Sequence, residues 1–232
     1  MTTPKFSISP DDKKLIVSIL EKIETEKKNS EVRVISFYSL FGLLNKAEKI
    51  SVKKFRDITP LVYGFKGRYL GIQDVPKNLV AIRNQKYKSK GKAEKIETQY
   101  LTKPVFEAYK KLNSALFKET KKKLLVDSGY RSPAYQVITF LWYLNFHKFN
   151  FSKTIKRVAI PGYSEHGFPK GQAVDFITTD GVPSDKKPLD FAKTIEYNWL
   201  LKNADKFSFY QSYPRNNKLG VMFEPWHWQF RK

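Results

Sequence analysis

The sequence predicts an α+β fold in which helices pack on a small antiparallel sheet, preceded by a mainly helical N-terminal region. Apolar residues recur at helical spacing over residues 15–23 and again over 105–116. Short apolar runs at 124–126 and 173–178 indicate strands, with further helical segments between and after them. This order of elements favours helices packed on one small sheet.

Residues 1–59 are predicted to form a basic, mainly helical N-terminal region. The Ser-Pro-Asp-Asp stretch at 9–12 predicts a helix start, because serine caps helices, proline suits the first helical position and acidic residues suit the first turn. That helix should continue to about Lys28. Residues 32–44 predict a helix or a strand followed by a helix, and 50–58 adds a further segment. The region carries no chemical motif.

From residue 60 the chain changes character, and residues 60–232 are predicted to form the main domain. Gly64, Gly67 and Gly71 indicate a loop-rich stretch, and the lysine-rich connection at 86–95 is expected to be exposed. The later predicted elements are a helix at about 103–122, a strand at 124–126, a helix from 133 to about 147, strands at 158–160 and 173–178, a helix at about 188–203 and a strand interrupted by Pro225 at 220–230.

The composition limits the chemistry that is open to the chain. It has no cysteine, so disulfides and thiolate metal ligands are excluded. Any metal site must use carboxylates together with one or more of the three histidines, His147, His166 and His227.

The formal net charge of +21 favours binding to polyanions. Nucleic acid, an anionic membrane and an anionic cell wall with teichoic acids all fit this charge, and so does a merely solvated lysine-rich surface. The basic residues are mostly lysines dispersed along the chain, whereas nucleic-acid binding usually concentrates arginine on one face. We therefore expect no nucleic-acid partner.

No stretch approaches the ~20 apolar residues of a transmembrane helix, and the first residues lack the apolar run of a secretory signal. The sequence does not decide the cellular location of the protein. The protein acts in the cytoplasm, leaves the cell by another route, or has an export segment that is not part of this sequence.

Two histidines and two carboxylates could form a catalytic metal site. His166, Asp175 and His227 suit three ligands of a zinc ion and leave a fourth position for water. Glu224, three residues before His227, would then be the general base. The two side chains converge only if the strand is distorted between them, and Pro225 is where that distortion is expected. Each histidine or carboxylate taken alone is more simply explained by packing, helix capping or ion pairing. For His147 we expect such a structural role and not a ligand role.

Arg131 is the other informative charge. A guanidinium binds a carboxylate through two parallel hydrogen bonds, which suits recognition of a peptide C-terminus or polarisation of a carbonyl. A structural salt bridge is the alternative.

Three motifs now identify a resemblance. SGYRSPAYQ (128–136), PGYSEHGFPKGQAVDF (161–176) and EPWHWQF (224–230), in that order, resemble the signatures of D-alanyl-D-alanine carboxypeptidases of the VanY type. These enzymes belong to a zinc peptidase group with the VanX dipeptidases and phage L-alanyl-D-glutamate endopeptidases. Supporting similarity at 75–82 and 198–214 extends the resemblance to roughly residues 60–232.

The resemblance implies one zinc ion, carried by the small sheet and held by His166, Asp175 and His227. It implies Glu224 as general base and later proton donor, and Arg131 as the group that binds substrate and stabilises the oxyanion. By resemblance alone, two further residues contact the substrate peptide, namely Gln136 and Ser164.

The implied activity is removal of the terminal D-alanine from peptidoglycan stem peptides by a monomeric enzyme. An endopeptidase of the same zinc group is the nearest alternative, and a non-catalytic polyanion-binding or wall-binding protein is a remote one. Anionic wall polymers are an additional expected partner, and residues 1–59 either pack or bind the wall.

The chain departs from the family pattern at one place. Four residues, 167–170, separate His166 from Gly171, which is two more than the family usually has. A surface loop absorbs two residues at little cost, so we expect the ligands to be retained and the rim of the substrate cleft to change. Substrate preference is the property that this insertion would alter.

Overall fold

The computed structural model describes residues 7–27, 31–58, 66–89, 91–183 and 187–232. The chain divides into two compact units. The helical unit comprises Met1–Val75, Arg131–Gly167 and Asn217–Met222, and the sheet unit comprises Pro76–Tyr130, Phe168–Asn216 and Phe223–Lys232. The predicted boundary at 59/60 and the predicted turn at Gly64 lie outside the described residues, and the predicted two-domain division stays a prediction.

The elements confirm the predicted α+β class, with small antiparallel sheets and a helical N-terminal region. The helices are α1 (Pro10–Lys27), α2 (Phe37–Leu43), α3 (Lys46–Arg56), α4 (Lys103–Thr120), α5 (Pro133–Phe146), α6 (Phe151–Thr154) and α7 (Ile195–Asn203). The strands are β1 (Leu79–Ile82), β2 (Lys86–Ser89), β3 (Lys92–Lys95), β4 (Gln99–Thr102), β5 (Leu124–Ser128), β6 (Ala173–Thr178), β7 (Phe209–Gln211) and β8 (His227–Phe230).

In the helical unit, α1 begins where the sequence predicts. The Asp12 N–H donates to the Ser9 hydroxyl oxygen at 3.1 Å, and the Ser9 N–H donates back to the Asp12 carboxylate at 2.8 Å. This reciprocal cap satisfies two amides at the start of the helix. The apolar stripe of α1 then packs in one core with α3 and α5, including the fully buried Ile16, Phe55 and Phe140.

A buried carboxylate joins α3 to α1. Glu48 is 1% exposed and accepts hydrogen bonds from Lys22 Nζ at 2.7 Å, Ser18 Oγ at 2.8 Å and the Asn45 N–H at 2.7 Å. Burial alone would raise the pKa of Glu48, but these three donors outweigh burial and lower the pKa below its usual 4.5. The folded state therefore stabilises the ionised carboxylate of Glu48.

Replacing Glu48 with Gln should lower the free energy of unfolding at neutral pH by about 2 kcal/mol, because a charge-assisted bond and half of a capping box are weakened. The folded pKa is depressed, so this contribution is present above pH 4.5 and is lost as the pH falls through the folded value. Urea unfolding across the acid range should show a shallower loss of stability in Glu48→Gln than in the parent. Glu107→Gln, at an exposed position on α4, should change neither quantity. An unchanged acid profile in Glu48→Gln would contradict the assignment.

The sheet unit is built on a four-stranded antiparallel sheet of order β5-β6-β8-β7. One face of this sheet and the helices α4 and α7 share a core that includes the fully buried Leu112, Val174 and Phe176. β1 pairs with β4, and β2 pairs with β3 as a hairpin. Residues on the opposite face of β6 and β8 are therefore left to build a site.

Two side-chain amides pair with the outer edge of β5. Asn113 accepts from the Leu124 N–H at 2.9 Å and donates to the Leu124 carbonyl at 2.8 Å. Gln85 does the same at Val126, with both bonds at 2.9 Å. The N–H and C=O groups of Leu124 and Val126, which point away from β6, are thus all hydrogen-bonded.

Three predicted elements are wrong in extent or kind. Residues 158–160 form no strand, because the Ala159 carbonyl accepts from the Gln136 side chain at 2.6 Å. The predicted helix at 188–203 is a 3₁₀ turn followed by α7, since the extended Thr194 interrupts it and caps the second part. Only the last four residues of 220–230 form a strand.

The lysine-rich connection at 86–95 is exposed, as predicted, at each of its described lysines, but it contains the β2–β3 hairpin. β4 and β7 were likewise not predicted. β4 is buried at all four positions although it contains Gln99, whose side-chain amide oxygen accepts from the Gly129 N–H at 3.2 Å. A strand that buries a polar residue, hydrogen-bonded to a partner distant in sequence, lacks the alternation of apolar and polar residues by which strands are predicted.

Candidate metal centre

Asp175 and His227 lie directly opposite each other on the neighbouring antiparallel strands β6 and β8. Because side chains alternate along a strand, Val174 and Trp228 point into the core and these two residues point to the other face. Their side chains meet, with 2.8 Å between His227 Nδ1 and Asp175 Oδ1. The pairing of the strands therefore places an imidazole and a carboxylate in contact.

A turn at Pro225 and Trp226 brings Glu224 toward His227. The His227 N–H donates to the Glu224 carbonyl at 3.2 Å, which closes the turn, and Glu224 Oε2 lies 3.9 Å from His227 Nδ1. The Trp228 indole N–H donates to the Pro225 carbonyl at 2.9 Å and holds the turn from the strand side. The distortion expected at Pro225 is thus a turn that precedes the strand.

Two residues that the sequence did not single out support this part of the site. The ring of Tyr213 packs on the imidazole of His227, with centroids 4.7 Å apart. Gln172 is fully buried and its amide accepts from the Thr102 N–H at 2.9 Å and donates to the Tyr100 carbonyl at 3.2 Å. Gln172 therefore fixes the start of β6, three residues before Asp175. Both residues lie in stretches that resemble the family, Gln172 in the second motif (161–176) and Tyr213 in residues 198–214, and that was the signal available in the sequence.

In the helical unit, the first two motifs are joined through their backbones. The Arg131 N–H donates to the His166 carbonyl at 3.3 Å, and the Gly167 N–H donates to the Ser164 carbonyl at 3.2 Å. His166 is 2% exposed and Ser164 is 7% exposed. Arg131 and the turn that carries His166 are consequently held together before any ligand binds.

Gln136 is buried on α5, and its amide nitrogen donates to the Ala159 carbonyl at 2.6 Å. This bond ties the segment before the second motif to the helix that begins within the first motif. His147 lies near the end of α5, where Nδ1 is 3.3 Å from the Thr154 hydroxyl and burial lowers the pKa of the imidazole. It is not among the clustered ligand atoms described next.

One ligand atom each from His166, Asp175 and His227 lies within 4.8 Å of the other two. Tetrahedral ligands about 2.0–2.2 Å from a common ion are separated by distances shorter than this limit. Two imidazoles and one carboxylate also match the donor set of a catalytic zinc site with an open position. These residues therefore fit a metal ion, and the structure brings together all three ligands that the sequence predicted.

The sequence model of VanY, described as D-alanyl-D-alanine carboxypeptidase, matches residues 98–232, which include every residue of this cluster and Glu224. The chain belongs to the VanY family. Its members are carboxypeptidases, so the cluster lies within a peptidase domain of that family.

Two curated relatives are similar to this VanY-family chain. YodJ of Bacillus subtilis (strain 168) is 29% identical over 173 residues, which cover 67% of this chain and 60% of YodJ. A D-alanyl-D-alanine carboxypeptidase of Enterococcus faecalis (strain ATCC 700802 / V583) is 39% identical over 75 residues, which cover 32% of this chain and 24% of that enzyme. The chain thus spans less than two thirds of the length of either relative.

Among solved structures, that of the LdcB LD-carboxypeptidase, which describes peptidoglycan recognition, is similar with a TM-score of 0.53 and 29% identity. The similarity covers 67% of this chain and 68% of LdcB. No helix in the described ranges combines the length and apolar character that a membrane span requires.

The segment that departs from the VanY pattern is compact. Residues Glu165–Gly167 and Pro169–Gly171 form two short 3₁₀ turns, and the Gly171 N–H donates to the Phe168 carbonyl at 3.0 Å. The Phe168 ring lies against Gly171, where an added Cβ would come within 3.1 Å of it. Residues 167–170, where the sequence predicts an insertion, are thus part of two short turns, and the candidate ligand atoms on either side of them are clustered.

Gly129, in the first motif, leaves no room for a side chain. A Cβ at this position would collide with the Tyr100 carbonyl oxygen and come within 3.2 Å of Leu101 Cδ2. Gly129→Ala should therefore lower the free energy of unfolding by about 1–3 kcal/mol, measured by urea denaturation. Gly42→Ala is the matched control, since nothing lies within 4 Å of its Cβ position and the change should be neutral or slightly stabilising. Equal stabilities of the two variants would contradict this packing.

Proposed function

We propose that the protein is a zinc-dependent D-alanyl-D-alanine carboxypeptidase that removes the terminal D-alanine from peptidoglycan stem peptides. The observation that carries the proposal is the cluster of two histidines and one carboxylate within 4.8 Å of one another, in a chain of the VanY family. The order and spacing of the three motifs that contain these residues support it further.

We infer one zinc ion, held by His166, Asp175 and His227. The chain has no cysteine, and a nitrogen-rich set with one carboxylate suits zinc better than magnesium or calcium, which prefer oxygen ligands. When bound, zinc supplies Lewis acidity toward a carbonyl oxygen and lowers the pKa of water. The contact between Asp175 and His227 holds two of the three donor side chains in place beforehand.

In this proposal Glu224 moves the proton. Its carboxylate, with Oε2 3.9 Å from His227 Nδ1, takes a proton from the attacking water and delivers it to the amine of the departing D-alanine. The turn at Pro225 fixes this carboxylate with respect to β8, so little reorganisation is needed for either transfer.

Arg131 is assigned to the substrate. Its guanidinium would bind the terminal carboxylate of the stem peptide or the oxyanion that develops on the carbonyl. The hydrogen bond from its backbone to His166 supports a fixed position for this group. Gln136 and Ser164 are proposed substrate contacts. For Gln136 the amide oxygen is the group concerned, because it is buried without a hydrogen-bond partner among the described residues, whereas the nitrogen already donates to Ala159.

Removal of D-alanine from a tetrapeptide is the second candidate activity. The similarity to the LdcB LD-carboxypeptidase supports it, because that structure aligns over two thirds of both chains. The two activities share the proposed chemistry and differ in the stereochemistry of the residue that precedes the scissile bond.

Mass spectrometry of purified muropeptides incubated with the zinc-loaded protein would test the proposal. Loss of one alanine from the pentapeptide, with the tetrapeptide left intact, is the expected result. Loss of alanine from the tetrapeptide would instead establish the L,D activity, and cleavage after L-alanine would establish an endopeptidase. No cleavage of either peptide, by protein with a full complement of zinc, would reject the proposed function.

A further inference from the structure

The β2–β3 hairpin is fastened to the rest of the sheet unit through the backbone of β2 and through one of its faces, which carries Tyr87. The Lys88 N–H donates to the Thr179 carbonyl at 2.8 Å, and the ring of Tyr87 lies against Gly181, where an added Cβ would come within 2.6 Å of it. Gln85, immediately before β2, is bonded to Val126 at both ends of its amide. The hairpin is therefore held in place by backbone, ring and amide contacts.

The opposite face of the hairpin carries three lysines. Lys86 lies directly opposite Lys95, and Lys88 lies opposite Ala93, so all four residues share one face. Tyr87 is on the other face, as the alternation of exposed and half-buried residues along β2 requires. The three lysines are exposed. Cross-strand neighbours have Cβ atoms about 5 Å apart and diagonal neighbours about 7 Å apart, so the ammonium groups form one cluster.

This cluster has no carboxylate to balance it. Within the described parts of the chain, no carboxylate lies within 4.0 Å of the ammonium group of Lys86, Lys88 or Lys95. Asp180, in the turn that anchors the hairpin, is paired with Lys122 at 3.7 Å. Like charges placed directly opposite each other destabilise a strand pair. An anion bound on this face would remove that cost.

We propose that the lysine face of the β2–β3 hairpin, formed by Lys86, Lys88 and Lys95, binds a phosphodiester polymer of the cell wall of the teichoic acid type. Lysine ammonium groups act as point charges toward phosphate, without the planar geometry by which arginine selects carboxylates. The fourth residue of the face, Ala93, leaves it flat. The net charge of +21 would bring such a polymer to the protein from a distance.

The composition of the face argues against nucleic acid as the occupant. Single-stranded nucleic acid is bound by aromatic rings that stack on bases beside the basic groups. The aromatic ring of the hairpin, Tyr87, is on the anchored face and lies against Gly181. The lysine face therefore offers charge for a phosphate backbone and no ring for a base. This binding does not depend on the proposed peptidase activity.

The test compares two triple variants of the full chain with the same loss of charge. The hairpin variant is Lys86→Gln, Lys88→Gln and Lys95→Gln, and the control variant is Lys14→Gln, Lys46→Gln and Lys202→Gln, which removes exposed lysines on other elements. Binding to purified poly(glycerol phosphate) would be measured between about 50 and 200 mM salt. The hairpin variant should lose at least tenfold in affinity, and its slope of log K against log salt should fall by about 2, whereas the control should stay within about twofold.

Three results would overturn the proposal. The first is an equal loss of affinity in both variants, which would make the binding a property of net charge alone. The second is undiminished binding of the parent protein to isolated walls from which the phosphate polymer has been removed. The third is tighter binding of single-stranded DNA than of the polymer, through the same three lysines. Hydrolysis of a soluble stem peptide should be the same in the parent and both variants, so loss of binding and loss of peptidase activity are separately visible.

Discussion

Glu224→Gln should lower kcat/KM for a stem pentapeptide by about 10²–10⁴-fold while the bound zinc stays at one ion per chain. The amide keeps the size of the side chain and its place in the turn before β8, but it cannot accept the proton of the attacking water. Steady-state hydrolysis and metal analysis of the same sample would measure both quantities.

Glu107→Gln is the matched control for this change. Glu107 is an exposed glutamate on α4 whose carboxylate lies 3.6 Å from Lys110, and its amide variant should hydrolyse the peptide like the parent. Activity of Glu224→Gln within tenfold of the parent would remove Glu224 from the role of base. Loss of zinc together with activity would instead make it a ligand or a support of the metal site.

His166→Ala and Asp175→Asn should each abolish stable zinc binding and, with it, hydrolysis. His166→Ala removes one of three donors in a cluster whose atoms lie within 4.8 Å of one another. Asp175→Asn replaces the anionic carboxylate with a neutral amide oxygen, which is a much weaker zinc ligand, so either variant should hold zinc poorly. Metal analysis after dialysis would show near one ion in the parent and near none in the variants. A bound metal also stabilises the folded state, so added zinc should raise the melting temperature of the parent and leave that of the variants unchanged.

His147→Ala provides the control for both readouts. This histidine is bonded to Thr154 at the end of α5, so its loss should leave zinc content unchanged. Undiminished zinc in His166→Ala would exclude it as a ligand, even if hydrolysis were lost.

Local signals made several elements predictable. The start of α1 follows from Ser9 and Asp12, which cap it within one turn, and β6 follows from a continuous apolar run. Elements that depend on distant partners were missed or mistaken. Residues 158–160 have the composition of a strand, yet Ala159 is bonded to a side chain on α5, and β4 contains a buried glutamine.

The site was predictable to a different extent. Three short motifs predict His166, Asp175, His227 and Glu224 as members of the candidate site, because a metal site would require particular residue types at fixed places in the motifs. The residues that hold these side chains in place need not be of a particular type at a fixed place in a motif. Gln172 acts through an amide that bonds to β4, about 70 residues earlier, and Tyr213 acts through a ring packed on His227. Contacts of this kind arise from the tertiary fold and leave no regular spacing in the sequence.

The amides of Asn113 and Gln85 also bear on how the protein behaves at high concentration. β5 is an outermost strand of its sheet, and an edge with unpaired N–H and C=O groups is a template on which another chain can add a strand. Here Leu124 and Val126 already have both backbone groups occupied by these side chains. Replacing both amides with apolar residues should therefore appear first as self-association and precipitation of folded protein, because the sheet could then grow from one molecule into the next.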